Sequence, residues 1–310
     1  MVGSVACFYS PKGVLFIEGE DSATFLQGQF SQELRIEDKG VAYGLWLNSK
    51  GKILADSFVL KLSSEEFLAV SYSSETDFLR ENLENRIIMD EVETRTTDSD
   101  WIGVSLWGAA IEVALNLLGL EEPSENGFFS IDDVFVFWGR RNGDRNLEVV
   151  YASGELAESL KVALVDSKVH FLDTNEVSLM AMRSGNFELY RDIWGSDLPQ
   201  ETGLGECAVS YSKGCYIGQE VMARLKSMGQ ARRELRCVSV SRLPEGESSW
   251  KLLDGEGKRV GELRRVLSEE GSIIGSAMLK RSRADGPFTI DGQADVVVEP
   301  ITVEGGGISG

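Results

Sequence analysis

The sequence predicts an α+β protein made of two α/β units followed by a small C-terminal β-barrel. Two observations carry most of this. A cycle of strand, turn, strand and amphipathic helix occurs twice in the first half of the chain. From Leu235 onward the helical periodicity disappears, and short alternating runs are separated by glycine and acidic turns.

The first unit is clearest in "VAYGLWLNSKGKILADSFVLKL". Asn48-Ser49-Lys50-Gly51 carries turn chemistry between two apolar alternating runs, so the stretch reads as a hairpin. In its second strand Leu54, Phe58, Leu60 and Leu62 share one face by the period of two, and Asp56 falls on that face. A carboxylate among such neighbours needs a partner or pays heavily in desolvation. A bulge, a solvated spot or an ion pair with a lysine would answer this, and so would a functional site. "EEFLAVSY" supplies another strand. "SSETDFLRENLENRIIM" reads as a helix, with Ser74 and Asp77 as a weak capping box and Leu79, Leu83 and Ile87 as its stripe.

The second unit repeats the theme. "WIGVSLWG" is strand-like, and "AAIEVALNLLG" is a helix stopped by Gly119. "SIDDVFVFWGRRNGDRNLEVVYA" is a hairpin about Arg141-Asn142-Gly143, and "GELAESLKVAL" is a helix. Asp173 and Glu176 cap a further helix, which ends at Gly185. The next thirty or so residues show little periodicity and many turn residues. Irregular stretches of that length are usually functional or disordered, and the aromatic content here favours order. The terminal "GGGISG" reads as a flexible tail.

Composition narrows the functional classes. The 310 residues are 42% hydrophobic and 26% charged, as in ordinary globular chains, and the formal net charge is −19. That charge argues against broad binding to nucleic acid or anionic membranes, so no direct nucleic-acid contact is expected. A basic group at Arg224, Lys226, Arg232, Arg233 and Arg236 stands out against it, as a solvated face or an anion site. No apolar run approaches membrane-spanning length and no signal-like leader opens the chain, so a cytoplasmic setting is expected. A single histidine, His170, excludes multi-histidine metal centres, and no metal ligand set is expected. Its setting in "SKVHFLD" favours a structural role. Cys7, Cys207, Cys215 and Cys237 lack CxxC spacing, which argues against a disulfide framework or a four-cysteine cluster loop.

The stretch "YSKGCYIGQEVMARLKSMGQ" concentrates the chemistry. Lys213 and Cys215 are two apart, so an extended segment would project both side chains to one side. An ammonium near a thiol favours the thiolate. Gly214 and Gly218 allow close backbone approach, and Gln219 and Glu220 open a helix whose free amides would face the cysteine loop. Cys215 could equally be a small buried hydrophobe.

"KGCYIGQE" resembles the K-G-C-Y-x-G-Q-E motif of the YgfZ family, folate-binding proteins that assist iron–sulfur enzymes. "FLQGQFSQEL", "LNSKGKILAD" and "LPQETGLGECAVSYSKGC" are similar to other segments of that family, so the likeness covers most of the chain to about Leu235. The wider superfamily includes the glycine-cleavage T-protein, an aminomethyltransferase. The resemblance implies a three-domain T-protein-like ring around a channel that holds tetrahydrofolate or a one-carbon derivative. It implies a folate-binding region over 1–230, a barrel over 231–304 and a tail over 305–310. Lys213 and Cys215 match the family's functional pair, and Gln219, Glu220 and Arg224 match the rest of its motif. Asp56 aligns with the carboxylate that faces the folate nitrogen in T-proteins. Asn48, Gln29 and Arg183 fall on matching positions for lining the pocket. One departure is Ser184, which stands where the family has an acidic residue that helps hold the pterin; serine is short and uncharged.

Three functions follow from the resemblance. The first is an accessory protein for assembly or repair of iron–sulfur enzymes, with those enzymes or assembly proteins as partners and with a bearing on tRNA modification. The second is a folate-dependent aminomethyltransferase, with Asp56 acting on the folate. The third is a folate-binding scaffold in which Cys215 is structural. The lysine–cysteine pair and the short chain favour the first.

Overall fold

The computed structural model describes residues 3–301 apart from 143–144, 153, 230 and 270. The expected tail over 305–310, and Gly143 of the second hairpin turn, lie outside the described residues. The chain begins with β1 (Val5–Tyr9), β2 (Gly13–Glu18) and α1 (Ser22–Gln29). The predicted hairpin follows as β3 (Val41–Leu47) and β4 (Ile53–Lys61), then β5 (Glu66–Ser71) and α2 (Thr76–Glu84). β6 (Glu93–Arg95) and β7 (Trp101–Trp107) lead into α3 (Ala109–Leu118), β8 (Phe128–Ile131), β9 (Val134–Trp138), β10 (Leu147–Ala152) and α4 (Glu155–Asp166). β11 (His170–Phe171) and α5 (Thr174–Arg183) precede the irregular segment, which holds α6 (Leu204–Cys207) and ends in α7 (Gln219–Met228). The last strands are β12 (Arg233–Val240), β13 (Trp250–Leu253), β14 (Arg259–Glu269), β15 (Ser272–Lys280), β16 (Phe288–Ile290) and β17 (Gln293–Pro300).

These strands form two sheets and a closed barrel. The first sheet has the order β3-β4-β5-β2-β6, the second β11-β1-β7-β10-β9-β8, and the barrel β12-β15-β14-β13-β16-β17. The two units are not separate along the chain. β1 and β2 are neighbours in sequence, yet β1 pairs with β7 and β11 in the second sheet.

The sheets pack face to face. Val14, Phe16, Phe58, Leu60, Leu68 and Val70 of the first meet Phe128, Phe135, Phe137 and Val150 of the second. The outer face of the first sheet, with Leu15, Ile17, Val59, Phe67 and Ala69, is covered by α1 and α2. The second buries Val104, Leu106, Val136 and Val149 against α3 and α4. The strands β2, β4 and β5 therefore alternate between two buried faces, which is why they read as nearly continuous apolar runs.

Two of the expected helix ends follow local chemistry and one does not. Gly119 closes α3 in the left-handed region, and Asp173 with Glu176 forms the capping box of α5. α2 starts after Glu75 without a side-chain cap and ends at Glu84, so the expected Ser74 cap is absent and Ile87 lies beyond the helix. The reason is competition: the Ser74 hydroxyl oxygen accepts from Asp56 N and Tyr190 Oη instead, and its proton goes to Asp56 Oδ1.

The irregular segment is ordered by a buried arginine from the barrel. Arg264 on β14 meets Asp197 through Nη1–Oδ2 at 2.5 Å and Nη2–Oδ1 at 3.0 Å, both side chains fully buried, while Trp194 stacks on the guanidinium at 4.1 Å. Asp192 takes hydrogen bonds from Ser276 and Arg265, which ties the same loop to β15 and β14.

Candidate functional site

Residues of both sheets, α5, the irregular segment, α7 and the barrel line an open cavity of about 1990 Å3. Single-ligand pockets run to about 300–1,000 Å3, so this chamber has room for a large or composite ligand. Seven cationic and seven acidic described side chains line it, so its wall is balanced in a protein of net charge −19.

Asp56 opens onto this cavity at the rim of the inter-sheet core and is only 7% exposed. The period-two reading of β4 thus places it correctly, beside Phe58. Its Oδ2 accepts from Tyr43 Oη at 2.8 Å, and its Oδ1 accepts from Ser71 Oγ at 2.9 Å and Ser74 Oγ at 3.1 Å. Among the described residues no cation pairs with it; neutral donors alone hold the carboxylate. Burial first, and then the adjacent charge, push the Tyr43 hydroxyl well above its ordinary range, so Tyr43 remains a donor. Tyr190 adopts a left-handed φ of 65°, uncommon outside glycine. That turn aims its hydroxyl at Leu54 O, 2.9 Å away, beside Ser74.

Sequence reasoning missed a second polar centre in the same wall. Glu148 on β10 is fully buried and accepts from Tyr9 Oη and Tyr72 Oη, both at 2.7 Å, from Ser105 Oγ at 2.8 Å and from Asn146 Nδ2 at 2.7 Å. Arg141 stacks over Tyr9 and Tyr72 at 4.2 and 3.8 Å and approaches Glu148 at 3.9 Å. Burial raises the Glu148 carboxyl, and Arg141 opposes the shift. Gly103, opposite Tyr9 on β7, makes room for this network: a Cβ there would overlap the Tyr9 ring. Glu148 lies in the second strand of a hairpin like that of Asp56, a position the alternation could have flagged.

The segments quoted for the family resemblance converge on one surface. Ser210 N donates to Ser31 O at 2.9 Å, and Ser31 Oγ donates to Ala208 O at 2.5 Å. Gln219 Nε2 donates to Lys213 O at 3.1 Å, closing the loop around Cys215. Gly218, at φ 85°, brings this loop against the hairpin turn, where a Cβ would lie 2.8 Å from Asn48 O and 3.1 Å from Gly51.

Within that surface Lys213 and Cys215 diverge. Residues 211–214 make successive bends rather than an extended run, so the same-side geometry does not arise. Lys213 turns inward, 6% exposed, and its Nζ donates to Phe30 O at 2.9 Å and Gln32 O at 2.7 Å. These carbonyls lie just past the C-terminus of α1, where a cation is favoured. Burial pushes its ammonium down to about 8. Cys215 is exposed. Neither residue lines the cavity.

The remaining candidates are dispersed. Asn48 Oδ1 accepts from Lys50 N and Lys52 N and so shapes the hairpin turn. Gln29 Oε1 accepts from Arg86 at 3.4 Å. Arg183 pairs with Glu269 at 2.6 Å outside the cavity wall. Glu220 is exposed at the start of α7, and Arg224 lies on an exposed part of the same helix. Ser184 does line the cavity, with its hydroxyl donating to Ala181 O, and Glu188 is the next acidic side chain in that wall, held by Ser178 and Arg265. His170 sits on β11, exposed and away from the cavity. The basic group is broken up: Arg233 pairs with Glu201, Arg236 with Glu234, and Lys226 lies over Tyr211.

A reduced pterin presents mostly ring and amino donors. Asp56 is an acceptor suited to them, and the Gln200 amide oxygen, in the same wall, is buried with no partner among the described residues. These acceptors therefore fit such a group.

Comparison with known proteins bears on the same regions. The GCVT N-terminal domain family matches residues 9–133. The tRNA-modifying protein YgfZ of Klebsiella pneumoniae (strain 342) is 26% identical over 298 residues, covering 92% of this chain and 88% of that protein. The mitochondrial iron-sulfur cluster assembly factor IBA57 homolog of Aspergillus clavatus is 24% identical over 307 residues, covering 89% of this chain and 65% of the relative. Among solved structures, glycine cleavage system aminomethyltransferase T from Bartonella henselae shares the fold, with a TM-score of 0.82 at 16% identity over 98% of this chain and 86% of that one.

Proposed function

We propose that this chain, which is similar to YgfZ proteins over most of its length, is a member of that family and a tetrahydrofolate-binding accessory protein supporting assembly or repair of iron–sulfur enzymes. The observation that carries the reading is the buried Asp56 carboxylate, held only by neutral donors and facing a cavity lined by both sheets, the irregular segment and the barrel. When bound, tetrahydrofolate supplies ring nitrogens able to carry a one-carbon group. Asp56 would orient the pterin by accepting a ring N–H, with Tyr43 fixing the carboxylate plane. Gln200 would accept a further pterin hydrogen bond. Tyr190 and the inter-sheet rim would exclude water. Cys215 would work from outside the chamber, as an exposed thiol offered to a client protein, with Lys213 anchoring its loop.

Calorimetric titration with tetrahydrofolate tests this reading. Wild type should bind, Asp56→Ala should bind at least tenfold more weakly (about 1.4 kcal/mol), and Cys215→Ala should bind as wild type does. In cells that depend on this protein, Cys215→Ala should fail to restore iron–sulfur enzyme activity. Full restoration by Cys215→Ala, or no binding by wild type, would overturn the proposal.

A further inference from the structure

Arg140 has no task in the function just described. It follows β9, its side chain lines the cavity, and its guanidinium lies over the Tyr43 ring at 4.3 Å. Among the described residues no carboxylate pairs with it and no acceptor takes a hydrogen bond from its guanidinium; only its backbone N–H is engaged, donating to Tyr72 Oη at 3.2 Å. Its neighbour Arg141 shows the contrast, since it donates to Ser105 and approaches Glu148. An arginine keeps its charge, and this half-buried guanidinium faces the cavity with no protein acceptor among the described residues, so an anion there would complete its hydrogen bonds. Its planar fork matches the two oxygens of a carboxylate. The position is also chemically marked. Tyr43 hydrogen-bonds Asp56, so Arg140 sits across one ring from that carboxylate. Cys207, at the end of α6, lines the same cavity and lies within electrostatic reach of both Arg140 and Tyr43.

We propose that Arg140 is an anion seat in the cavity wall, receiving a carboxylate of the bound molecule beside Asp56 and Cys207. This deepens the folate reading and rests on it only for the identity of that molecule. The carboxylate comes from the glutamyl end of a folate or from a separate small acid sharing the chamber.

Iodoacetate and iodoacetamide test the seat without folate. Each brings the same carbon to a thiol sulfur, forming an S–C bond as iodide leaves, but only the first carries a carboxylate. Peptide mass spectrometry on the full chain follows alkylation at Cys207, with exposed Cys215 as the reference and buried Cys237 reporting unfolding. The iodoacetate-to-iodoacetamide rate ratio at Cys207 should exceed that at Cys215 by about tenfold. It should fall to the Cys215 value in Arg140→Gln and survive in part in Arg140→Lys.

Competition in the wild type needs no variant. Protection by acetate identifies a small acid, and protection by p-aminobenzoylglutamate but not acetate identifies the glutamyl end. An equal ratio at Cys207 and Cys215 in the wild type refutes the seat, as does a ratio unchanged in Arg140→Gln with Cys237 still protected. A preserved anion preference in a protein that does not bind tetrahydrofolate sinks the folate reading alone.

Discussion

Lys213 places a charge where water is scarce and two carbonyls wait for it. Its folded value of about 8 lies below the ordinary 10.5, so the folded protein releases this proton first. Below about pH 8 both states hold the proton and the burial cost is borne in full. Between 8 and 10.5 the unfolded chain holds more protons, so this residue's contribution to stability rises with pH. Lys213→Met cannot titrate, so the stability of wild type minus variant, from urea midpoints, should grow across that window; a flat difference would contradict the burial. The spacing of Lys213 and Cys215 was legible, but their directions were not, because spacing fixes direction only where the backbone is extended. Asp56 was legible for the opposite reason. It sits inside a regular strand, where the period of two dictates its face. Arg140, Tyr43 and Tyr72 gave no signal, since an arginine or tyrosine near a strand end reads as ordinary packing.

At the scale of elements, Arg264 is the bolt between barrel and irregular segment. Removing one member of a buried pair leaves the other uncompensated, so Arg264→Leu should cost about 3–5 kcal/mol in chemical denaturation. The double change Arg264→Leu with Asp197→Leu should cost less than the single one. A loss near zero for the single change would show that Asp197 is satisfied without the arginine. Hairpins, the α5 capping box, the α3 stop at Gly119 and the barrel were all readable, because each is fixed by residues close in sequence. The missing α2 cap was not. Ser74 had a competing partner 18 residues away, and only tertiary structure brings Asp56 to it.

On the scale of the whole molecule, the cavity has no owner. Both sheets, the irregular segment and the barrel contribute to its wall, so no single stretch of sequence announces it. A ligand there binds only the assembled state. Tetrahydrofolate at a hundred times its Kd should therefore raise the unfolding free energy by about 2.7 kcal/mol and keep one calorimetric transition. Two transitions, with only one shifted, would mean that one part of the wall is dispensable. The placement of β1 was hidden for a related reason: a five-residue apolar strand carries the same alternation whichever sheet it joins. That placement has an outcome during synthesis. The leading strand emerges from the ribosome well before Trp101–Trp107, the first neighbour it will have, while Gly13–Arg95 can already close into a sheet of its own. A nascent chain stalled short of Trp107 should carry a finished sheet and one dangling ribbon with open amides and carbonyls. That ribbon keeps an unpaired strand edge until Trp101–Trp107 arrives.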